Sequence, residues 1–580
     1  MTTQLFRWNK QNLRRQLSVI RGEIAPSIWL KNATYLSSAR KTWRKGHVWI
    51  HGDRIVYVGE QEPKETEGTE IVDCEGKYIV PGYIEPHAHP FQLYNPHSFA
   101  EYASTRGTTT LINDNMLFFL HIEKKKALSL IEKLDELPTS MYWWVRYDSQ
   151  TELKEEDDIF SPSKMKDWLE HPLVLQGGEL TAWPRVLTGN DTILHWMQHT
   201  KELNKPIEGH LPGASERTLT QLALLGVSAD HEAMTADEVL RRLDTGMVAS
   251  LRYSSIRPDL PRILDELKEA GVTDFSRMIF TTDGSMPSFY KEGIIDKMIA
   301  IAIEKGVPII DAYEMGSYNV ARYYGLDDQL GMIAPGRIAH INILEAKDNP
   351  VPERVLAKGQ WVFKDGKSYY PARHFSWEEY GVRPFMIDWD LEEDDLHFSM
   401  PMGLELTNSV ILKPYQIEVD VTNDILSESH NECFFVMLDR YGKWRINTVI
   451  KGFGTNIGGF ASTFSNTGDI ILIGTEKKDM WKAFQELKHH DGGMFLVENE
   501  ELIASVPLKL FGSMSLKSMD ELMEEHAKLE NALKERGYPH EDPAYSLLFF
   551  SSTHLPYVRV TERGIFDVFK KKVLFPAVMR

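Results

Sequence analysis

The sequence predicts an α/β protein whose centre is a (β/α)8 TIM-like barrel, and three observations support this prediction. Eight apolar runs of strand length recur between residues 83 and 285, most of them separated by amphipathic or charged stretches. Strands that alternate with helices form parallel βα units, and eight such units close a barrel. Polar residues stand at the ends of these runs, where the reactive groups of a barrel lie. An open, doubly wound sheet is the alternative that this pattern leaves.

The eight apolar runs are predicted as barrel strands, and residues 81–335 as the whole barrel. Their continuous apolar character suits parallel strands that are buried on both faces. Stretches between them, such as residues 121–137 and 235–244, are predicted as helices. The predicted strands are residues 83–89, 108–115, 141–147, 173–180, 206–211, 227–232, 247–253 and 278–283.

Residues 1–80 are predicted to form most of a small β module before the barrel. Residues 49–59 have the pattern of a hairpin, with a Gly-Asp pair at the bend. A charged linker follows, and then short strands at residues 71–73 and 78–80. We expect the module to stop at Pro81, where a Pro-Gly pair marks a change of structure.

After the barrel strands the chain is expected to return to this module. Helices are predicted over residues 295–306 and 313–324, followed by a strand over 330–344. Residues 355–367 are predicted as a hairpin that ends in an Asp-Gly pair. We therefore expect residues 336–375 to complete the β module, so that one small β-sandwich is built from both sides of the barrel segment.

The remaining residues, 376–580, are predicted as a C-terminal α/β domain. An acidic patch at residues 388–395 marks its boundary, and the region mixes apolar strands with amphipathic helices. The predicted strands are residues 470–474 and 494–497, and the predicted helices are residues 480–489 and 518–536.

Composition excludes several classes of function. A net charge of −19 argues against a nucleic-acid partner, because phosphate binding needs a basic surface. Residues 1–23 hold no uninterrupted apolar core, and no stretch approaches the roughly 18 apolar residues of a membrane span, so we expect neither a secretory signal nor a membrane protein. The two cysteines, Cys74 and Cys433, are too few for a disulfide framework and suit a reducing cytoplasm.

Histidines and carboxylates at the predicted strand ends form a candidate metal site. His87 and His89 close the first strand and, being two residues apart, point to the same side of it. Each such residue alone has an ordinary explanation as a solvated or hydrogen-bonded side chain near a turn. Six of them at matching strand ends indicate a shared site. The other members, on strands four, five, six and eight, are Glu179, His210, His231 and Asp283.

Four imidazoles and two carboxylates suit two divalent cations with one carboxylate bridging them. Mn, Fe and Zn all accept such ligands, so the residue types leave the metal open. Bound water would lose its proton near neutral pH beside a carboxylate that can carry it, which predicts hydrolysis of a C–N bond or a related electrophilic carbon. Arg252 and Tyr253 on the seventh strand, and Glu232 beside His231, are candidate contacts to a small-molecule substrate.

Short segments along the whole chain carry a family resemblance. In the first two thirds they are residues 81–89, 107–110, 178–180, 208–213, 228–232, 292–296, 319–326 and 333–336. In the last third they are residues 460–463, 473–475, 492–494, 555–556 and 561–564. These segments resemble the adenine deaminase family of the amidohydrolase superfamily, and the last group is particular to adenine deaminases.

The resemblance implies a binuclear Mn or Fe centre in a barrel that is flanked by a β-sandwich and a C-terminal domain. The implied ligands are His87, His89 and Asp283 for one metal and His210 and His231 for the other, with Glu179 bridging. Glu179 and Asp283 are thus the predicted catalytic residues, and Asp283 would also carry a proton from the attacking hydroxide to the departing amino group. Adenine and water would give hypoxanthine and ammonia, a step of purine metabolism. The superfamily also suggests a homodimer.

The chain departs from the family pattern in four places. Residues 114–117 replace the usual Asp-Pro-His-Glu, and residues 91–93 replace Glu-Ser-Ser. Residues 252–255 stand where the family has Arg-Glu-Gly-Ser, and residues 465–469 replace His-Asp-Ser-His-Asn. Altered substrate contacts change specificity sooner than metal binding. Two alternatives therefore stay open: an amidohydrolase acting on another cyclic amide, amidine or aminated heterocycle, and a non-catalytic metal-binding protein.

Overall fold

The computed structural model describes residues 9–153, 155–371, 375–427 and 430–580. A sheet beside the barrel, the barrel itself and a C-terminal region with its own sheet account for this part of the chain. The predicted fold class is thereby confirmed. Residues 1–8 and 372–374 lie outside the described residues. Both stretches belong to the predicted β-sandwich, and residues 1–8 also belong to the segment in which no secretory signal is expected.

The N-terminal segment consists of one helix and five strands. Asn9 caps the helix by accepting a hydrogen bond from the Asn12 amide. The predicted Gly-Asp bend joins the second and third strands, as the sequence indicates. The elements are α1 (Lys10–Arg21), β1 (Ile28–Ser37), β2 (Thr42–His51), β3 (Arg54–Gly59), β4 (Glu70–Asp73) and β5 (Tyr78–Pro81).

Eight parallel strands, paired in chain order, follow and form the barrel. All eight overlap the strands predicted from the apolar runs, and several are shorter at their carboxyl ends. They are β6 (Tyr83–Ala88), β7 (Thr108–Asp114), β8 (Ser140–Val145), β9 (Val174–Leu180), β10 (Ile207–Gly209), β11 (Ala229–Asp230), β12 (Val248–Arg252) and β13 (Met278–Thr281).

A buried carboxylate joins the two end strands of this sheet. Glu85 of β6 accepts hydrogen bonds from the hydroxyls of Thr281 and Thr282 at 2.8 Å each, and from the Thr282 amide at 3.0 Å. Burial outweighs these bonds and raises the pKa of Glu85 to about 7. The first and last strands thus meet through a side chain, which brings the carboxyl ends of all eight strands around one mouth.

Helices cover the outside of the barrel and bury their apolar stripes against the strands. The prediction of one helix over residues 313–324 was wrong, because two helices form there and Gly316 and Ser317 separate them. The helices are α2 (Pro96–Thr105), α3 (Met116–His121), α4 (Lys124–Asp135), α5 (Glu156–Ile159), α6 (Pro162–Glu170), α7 (Trp183–Leu187), α8 (Asp191–Glu202), α9 (Glu216–Leu224), α10 (Ala236–Asp244), α11 (Leu260–Glu269), α12 (Ile295–Lys305), α13 (Ile309–Met315) and α14 (Tyr318–Tyr323).

Four strands after the barrel join those before it in one nine-stranded sheet, where β5 pairs antiparallel with residues 341–344. The predicted strand over residues 330–344 forms only at its end. The predicted hairpin is present and ends at Asp365 and Gly366, and it turns at Lys358 and Gly359, which both adopt the positive φ of a tight hairpin turn. The strands are β14 (Ile341–Leu344), β15 (Pro352–Ala357), β16 (Gln360–Lys364) and β17 (Lys367–Ser368).

The C-terminal region holds a second nine-stranded sheet, a three-stranded sheet and three helices. The two strands and two helices predicted here are all present. The strands are β18 (Met402–Leu406), β19 (Leu412–Gln416), β20 (Glu432–Leu438), β21 (Trp444–Lys451), β22 (Gly459–Ser462), β23 (Ile470–Gly474), β24 (Gly493–Glu498), β25 (Glu501–Pro507), β26 (Val558–Thr561), β27 (Gly564–Asp567), β28 (Lys572–Pro576) and β29 (Val578–Met579), and the helices are α15 (Lys477–His489), α16 (Met519–Glu535) and α17 (Pro543–Phe549).

This region packs directly on the barrel mouth. The Ser515 amide donates to the Leu93 carbonyl at 2.6 Å, and the Thr553 amide donates to the Gln150 carbonyl at 3.0 Å. Helix α17 begins at Pro543 after Asp542, whose carboxylate caps it, and lies over the loop that follows β13. The C-terminal region therefore covers the end of the barrel at which the predicted ligands stand.

Candidate metal centre and substrate cavity

Two histidines at the end of β6 form the first half of the site. His87 and His89 turn to the same side, as strand alternation requires, and their Nε2 atoms lie 3.1 Å apart. Asp283, which follows β13, places its Oδ1 atom 3.1 Å from Nε2 of His89 and 3.4 Å from Nε2 of His87. All three side chains are buried. Three potential ligand atoms thus converge beneath the C-terminal region.

Glu179 at the end of β9 connects this group to a second one. Its Oε2 atom lies 3.8 Å from Nε2 of His87, while its Oε1 atom lies 2.6 Å from Nδ1 of His210 and 3.5 Å from Nε2 of His231. Nδ1 of His210 and Nε2 of His231 are 3.2 Å apart. The structure therefore brings all six predicted ligand residues together, with Glu179 facing both halves.

Carboxylates behind the histidines fix which ring nitrogen faces the site. Glu208 contacts Nδ1 of His87 at 2.9 Å and Nδ1 of His231 at 3.1 Å, and Asp114 contacts Nδ1 of His89 at 2.9 Å. A ring that donates its Nδ1 proton to a carboxylate presents an Nε2 lone pair, which is the form that binds a cation. Each of these three histidines can therefore present Nε2 to a metal while its Nδ1 proton is held by a carboxylate.

The electrostatic field at this point favours a positive charge. Burial opposes protonation of His89, but Asp114 and Asp283 outweigh it and raise the pKa of His89 to about 9. Three groups of His, Asp and Glu atoms each lie within 4.8 Å of one another, as the ligands of a cation do. The donor set, its tautomers and its charge all fit a divalent cation.

Two buried arginines contact the carboxylates of the site. Arg146 Nη2 lies 2.7 Å from Oε2 of Glu179, and Arg252 Nη1 lies 2.5 Å from Oδ2 of Asp283. Burial raises the pKa of both carboxyls, but these guanidiniums and neighbouring histidines outweigh it and hold both well below the usual range. Both carboxylates are therefore ionised at neutral pH and are available as anionic ligands.

The loop that carries Asp283 is held from above. Asp283 has a left-handed backbone, with φ of 44°, and Gly284 follows with φ of 62°. A Cβ atom on Gly284 would lie 2.5 Å from the ring of His89, so only glycine fits there. The Tyr545 hydroxyl, from α17, donates to the carbonyls of Asp283 at 3.2 Å and Gly284 at 2.8 Å. The C-terminal region thus positions a predicted catalytic carboxylate.

A cavity of about 250 Å³ lies next to these residues. Its floor includes predicted ligands, and its upper wall comes from the C-terminal region, where Leu548, Phe549 and Leu555 present apolar surface. Polar side chains from both parts interrupt that surface, among them Gln92 and His554. The cavity has the mixed apolar and polar lining of a small-molecule site.

The structure places two of the three predicted substrate contacts in this cavity. Arg252 and Glu232 both line it and form an ion pair at 2.7 Å, and Arg257 binds the other oxygen of Glu232 at 2.7 Å. Tyr253 is not among the described residues that line the cavity, because strand alternation turns it away from Arg252 and its ring packs on Phe289. The geometry gives no support for a substrate contact by Tyr253.

Several residues that build the site were not predicted. Glu208 could have been found, because it lies two residues before His210 on β10, next to a predicted ligand. Asp114 was seen only as part of an altered family motif. Arg146 follows β8, and Arg257 lies in the loop after β12. Neither residue belongs to a sequence pattern that indicates a metal or substrate site. His554 comes from a segment more than three hundred residues away from His210.

Comparison with known proteins gives the family. The sequence pattern of the amidohydrolase family matches residues 78–362, and that of the adenine deaminase C-terminal domain matches residues 409–572. A protein of Halalkalibacterium halodurans named "Putative adenine deaminase" is 63% identical over all of both chains. The chain belongs to the adenine deaminase family.

More distant members of the adenine deaminase family also match over their length. A Bacillus cereus protein, again named "Putative adenine deaminase", is 52% identical over 99% of this chain and 97% of its own. The protein named "Adenine deaminase" from Bacillus velezensis is 26% identical over 97% of this chain and 98% of its own. Membership in the amidohydrolase family implies divalent metal binding and a small-molecule substrate. Among the described residues, no helix has the length and apolar character needed to cross a bilayer.

Proposed function

We propose that this member of the adenine deaminase family is a metal-dependent hydrolase of C–N bonds that converts adenine and water to hypoxanthine and ammonia. The observation that carries the proposal is the convergence of four imidazoles and two carboxylates at the floor of a cavity of about 250 Å³. Similarity over the full length to proteins named as adenine deaminases supports adenine as the substrate.

We assign the ligands as two sets that share one carboxylate. The residues proposed for two metals per chain are His87, His89 and Asp283 for the first and His210 and His231 for the second, with Glu179 between them. Imidazole and carboxylate donors suit Mn or Fe, and Zn also accepts them. When bound, such cations supply Lewis acidity and lower the pKa of water toward neutrality.

Asp283 is proposed to move the protons of the reaction. Arg252 holds Oδ2 of Asp283, and Tyr545 holds the backbone on which Asp283 stands, so the carboxylate keeps one orientation with Oδ1 toward the imidazoles. The carboxylate would take a proton from the attacking water as the water oxygen bonds to C6 of adenine. It would then give the proton to the exocyclic nitrogen as the C6–N bond breaks and ammonia leaves.

Glu232 and Arg252 are proposed as substrate contacts within the cavity. Burial opposes ionisation of Glu232, but His210, Arg252 and Arg257 outweigh it and hold its pKa at about 2. The carboxylate is therefore an acceptor at all working pH values and can receive an N–H of the purine. Apolar side chains of the C-terminal wall would pack on the ring faces and exclude water.

A second candidate function rests on the altered motifs. Gln92 and Asn466 line the cavity at positions where the family pattern has other residues, which favours an aminated heterocycle or cyclic amide related to adenine. A purely metal-binding role is disfavoured, because the complete ligand set lies beside a cavity that can hold a small molecule.

Ammonia release tests the proposal. Purified protein loaded with Mn or Fe should release ammonia from adenine, and metal content should be measured on the same sample. Asp283→Ala should lose at least about a thousandfold in turnover, since it removes the proton carrier, while the remaining ligands retain bound metal. Absence of turnover with adenine by metal-loaded protein, together with turnover of another aminated ring, would replace the first candidate by the second.

Location and assembly are part of the proposal. Both cysteines, Cys74 and Cys433, are buried free thiols, which supports a reducing, cytoplasmic setting. A homodimer is proposed from the family alone. Light scattering on the purified protein gives the assembly directly, with a mass near 133 kDa expected from twice the 66.7 kDa chain.

A further inference from the structure

Three residues that line the cavity each carry a buried side-chain nitrogen or oxygen with no hydrogen-bond partner among the described residues. The atoms are Oε1 of Gln92, Nδ2 of Asn466 and Nδ1 of His554. Buried polar groups are normally paired, because leaving one unpaired costs free energy. Unpaired groups that line a ligand cavity are therefore candidates for contacts that the ligand completes.

These three residues reach the cavity from separate parts of the chain. Gln92 lies three residues after His89, in the loop between β6 and α2. Asn466 lies in the loop between β22 and β23, and His554 lies between α17 and β26. The three segments are far apart in the sequence. They meet at one cavity because the C-terminal region packs on the barrel.

His554 marks how close this wall comes to the proposed metal centre. Its ring stands edge-on to the ring of His210, with centroids 5.6 Å apart, and it also contacts Phe549 at 6.3 Å. The two rings are in direct contact, so His554 lines the cavity immediately beside a proposed metal ligand.

We propose that Gln92, Asn466 and His554 determine substrate specificity by hydrogen-bonding the edges of an uncharged aminated purine base. The inference rests on the proposed deaminase function and names the residues that select its substrate. Gln92 offers an acceptor and Asn466 a donor, and His554 completes the set with one ring nitrogen. A purine base presents N–H groups and ring nitrogens in its plane, which such a set matches.

Gln92 and Asn466 occupy two of the four places where the chain departs from the family pattern. Both are neutral amides that line the cavity, and neither is a proposed metal ligand. Neutral amides suit an uncharged base, so these departures change how the base is recognised and leave the metal ligands unchanged.

The test compares variants that remove one polar atom while keeping volume. Gln92→Met, Asn466→Leu and His554→Phe should each raise the KM for adenine about tenfold, the cost of losing one ligand hydrogen bond, with kcat changed by less than about threefold. Metal content should stay at the wild-type level. Gln198→Met is the matched control, because Gln198 is an exposed amide on α8 whose side chain donates to Glu202, and it should leave KM unchanged.

A conservative variant and a binding measurement keep the test decisive. His554→Gln retains a hydrogen-bonding atom and should recover much of the KM lost in His554→Phe. If all three variants keep the wild-type KM on a wild type that deaminates adenine, the inference is overturned while the proposed function stands. If the wild type shows no turnover, calorimetric binding of adenine decides: weaker binding by the three variants supports the inference, and equal or absent binding overturns it.

Discussion

Glu208 provides the sharpest perturbation of the site, because one carboxylate orients histidines from both proposed metal sets. Its Oε2 atom contacts Nδ1 of His87 and accepts from Nε2 of Gln176 at 2.9 Å, while its Oε1 atom contacts Nδ1 of His231. Tyr324 donates to Oε1 of Gln176 at 2.9 Å and so fixes the orientation of that amide. Glu208→Gln keeps the shape of the side chain and replaces one acceptor by a donor.

The structure predicts which histidine is affected. In Glu208→Gln the carbonyl oxygen should remain beside Gln176 and His87, because both donate to that position. The new amide nitrogen then faces Nδ1 of His231, which can no longer donate its proton there. His231 must shift its proton to Nε2, the atom that faces Glu179 at 3.5 Å, and it thereby loses the lone pair that a cation needs. The set of Glu179, His210 and His231 should weaken.

Substitution of an outer partner of this kind costs about 10- to 100-fold in metal affinity, or about 1.4 to 2.7 kcal/mol. Calorimetric titration of metal-free protein with Mn should show two events in the wild type. In Glu208→Gln one event should shift to higher Kd by that factor, and the other should move less. Glu501→Gln, on the exposed face of β25, is the matched control and should leave both unchanged. Two Kd values within twofold of wild type in Glu208→Gln would refute the assigned tautomers.

Three further predictions follow from other contacts. Tyr545→Phe removes the hydroxyl that holds the Asp283 and Gly284 carbonyls, so kcat for ammonia release should fall about tenfold with metal content unchanged, and an unchanged kcat would contradict a positioning role. Trp144→Ala removes a fully buried ring that stacks on His87 at 4.3 Å, and chemical denaturation should show a loss of about 3 to 5 kcal/mol. Burial and Glu530 raise the pKa of Asp542 from 3.8 to about 7, so the protonated form is favoured in the folded state. Its stabilising contribution is complete below pH 4 and is lost as the pH rises to 7, and the stability of wild type relative to Asp542→Asn should fall by up to about 3 kcal/mol between pH 5 and pH 7. A difference that does not change with pH would count against this assignment.

The barrel could be predicted from the sequence because its parallel strands are buried on both faces. Such strands are continuous apolar runs, and each ended within a few residues of the predicted place. The small sheet was harder to place. Its hairpin ends at the predicted Asp365–Gly366 pair, but the sequence did not locate the turn, which lies at Lys358 and Gly359. A Lys-Gly pair is not one of the Asn-Gly or Asp-Gly pairs that mark a hairpin turn in a sequence.

The predicted ligands form one site because strand ends meet at one edge of a barrel, which makes sequence position informative about spatial position. Site residues that do not stand at the end of a predicted barrel strand were not predicted. Arg146 reaches Glu179 through the loop after β8, and His554 reaches His210 only through packing of a distant region. Tyr253 shows the opposite error, since it follows Arg252 in sequence but alternation of the strand turns it outward. The residues that form the cavity wall are brought together by tertiary packing, which no short sequence motif encodes.

The central claim is that six side chains from five barrel strands hold divalent cations at the floor of the cavity. Crystals of the Mn-loaded protein, with diffraction recorded on both sides of the Mn absorption edge, test it directly. The account predicts two anomalous peaks, one against His87, His89 and Asp283 and one against His210 and His231, with Glu179 touching both. Anomalous density that is absent from these side chains, or that lies elsewhere in the protein, would contradict it.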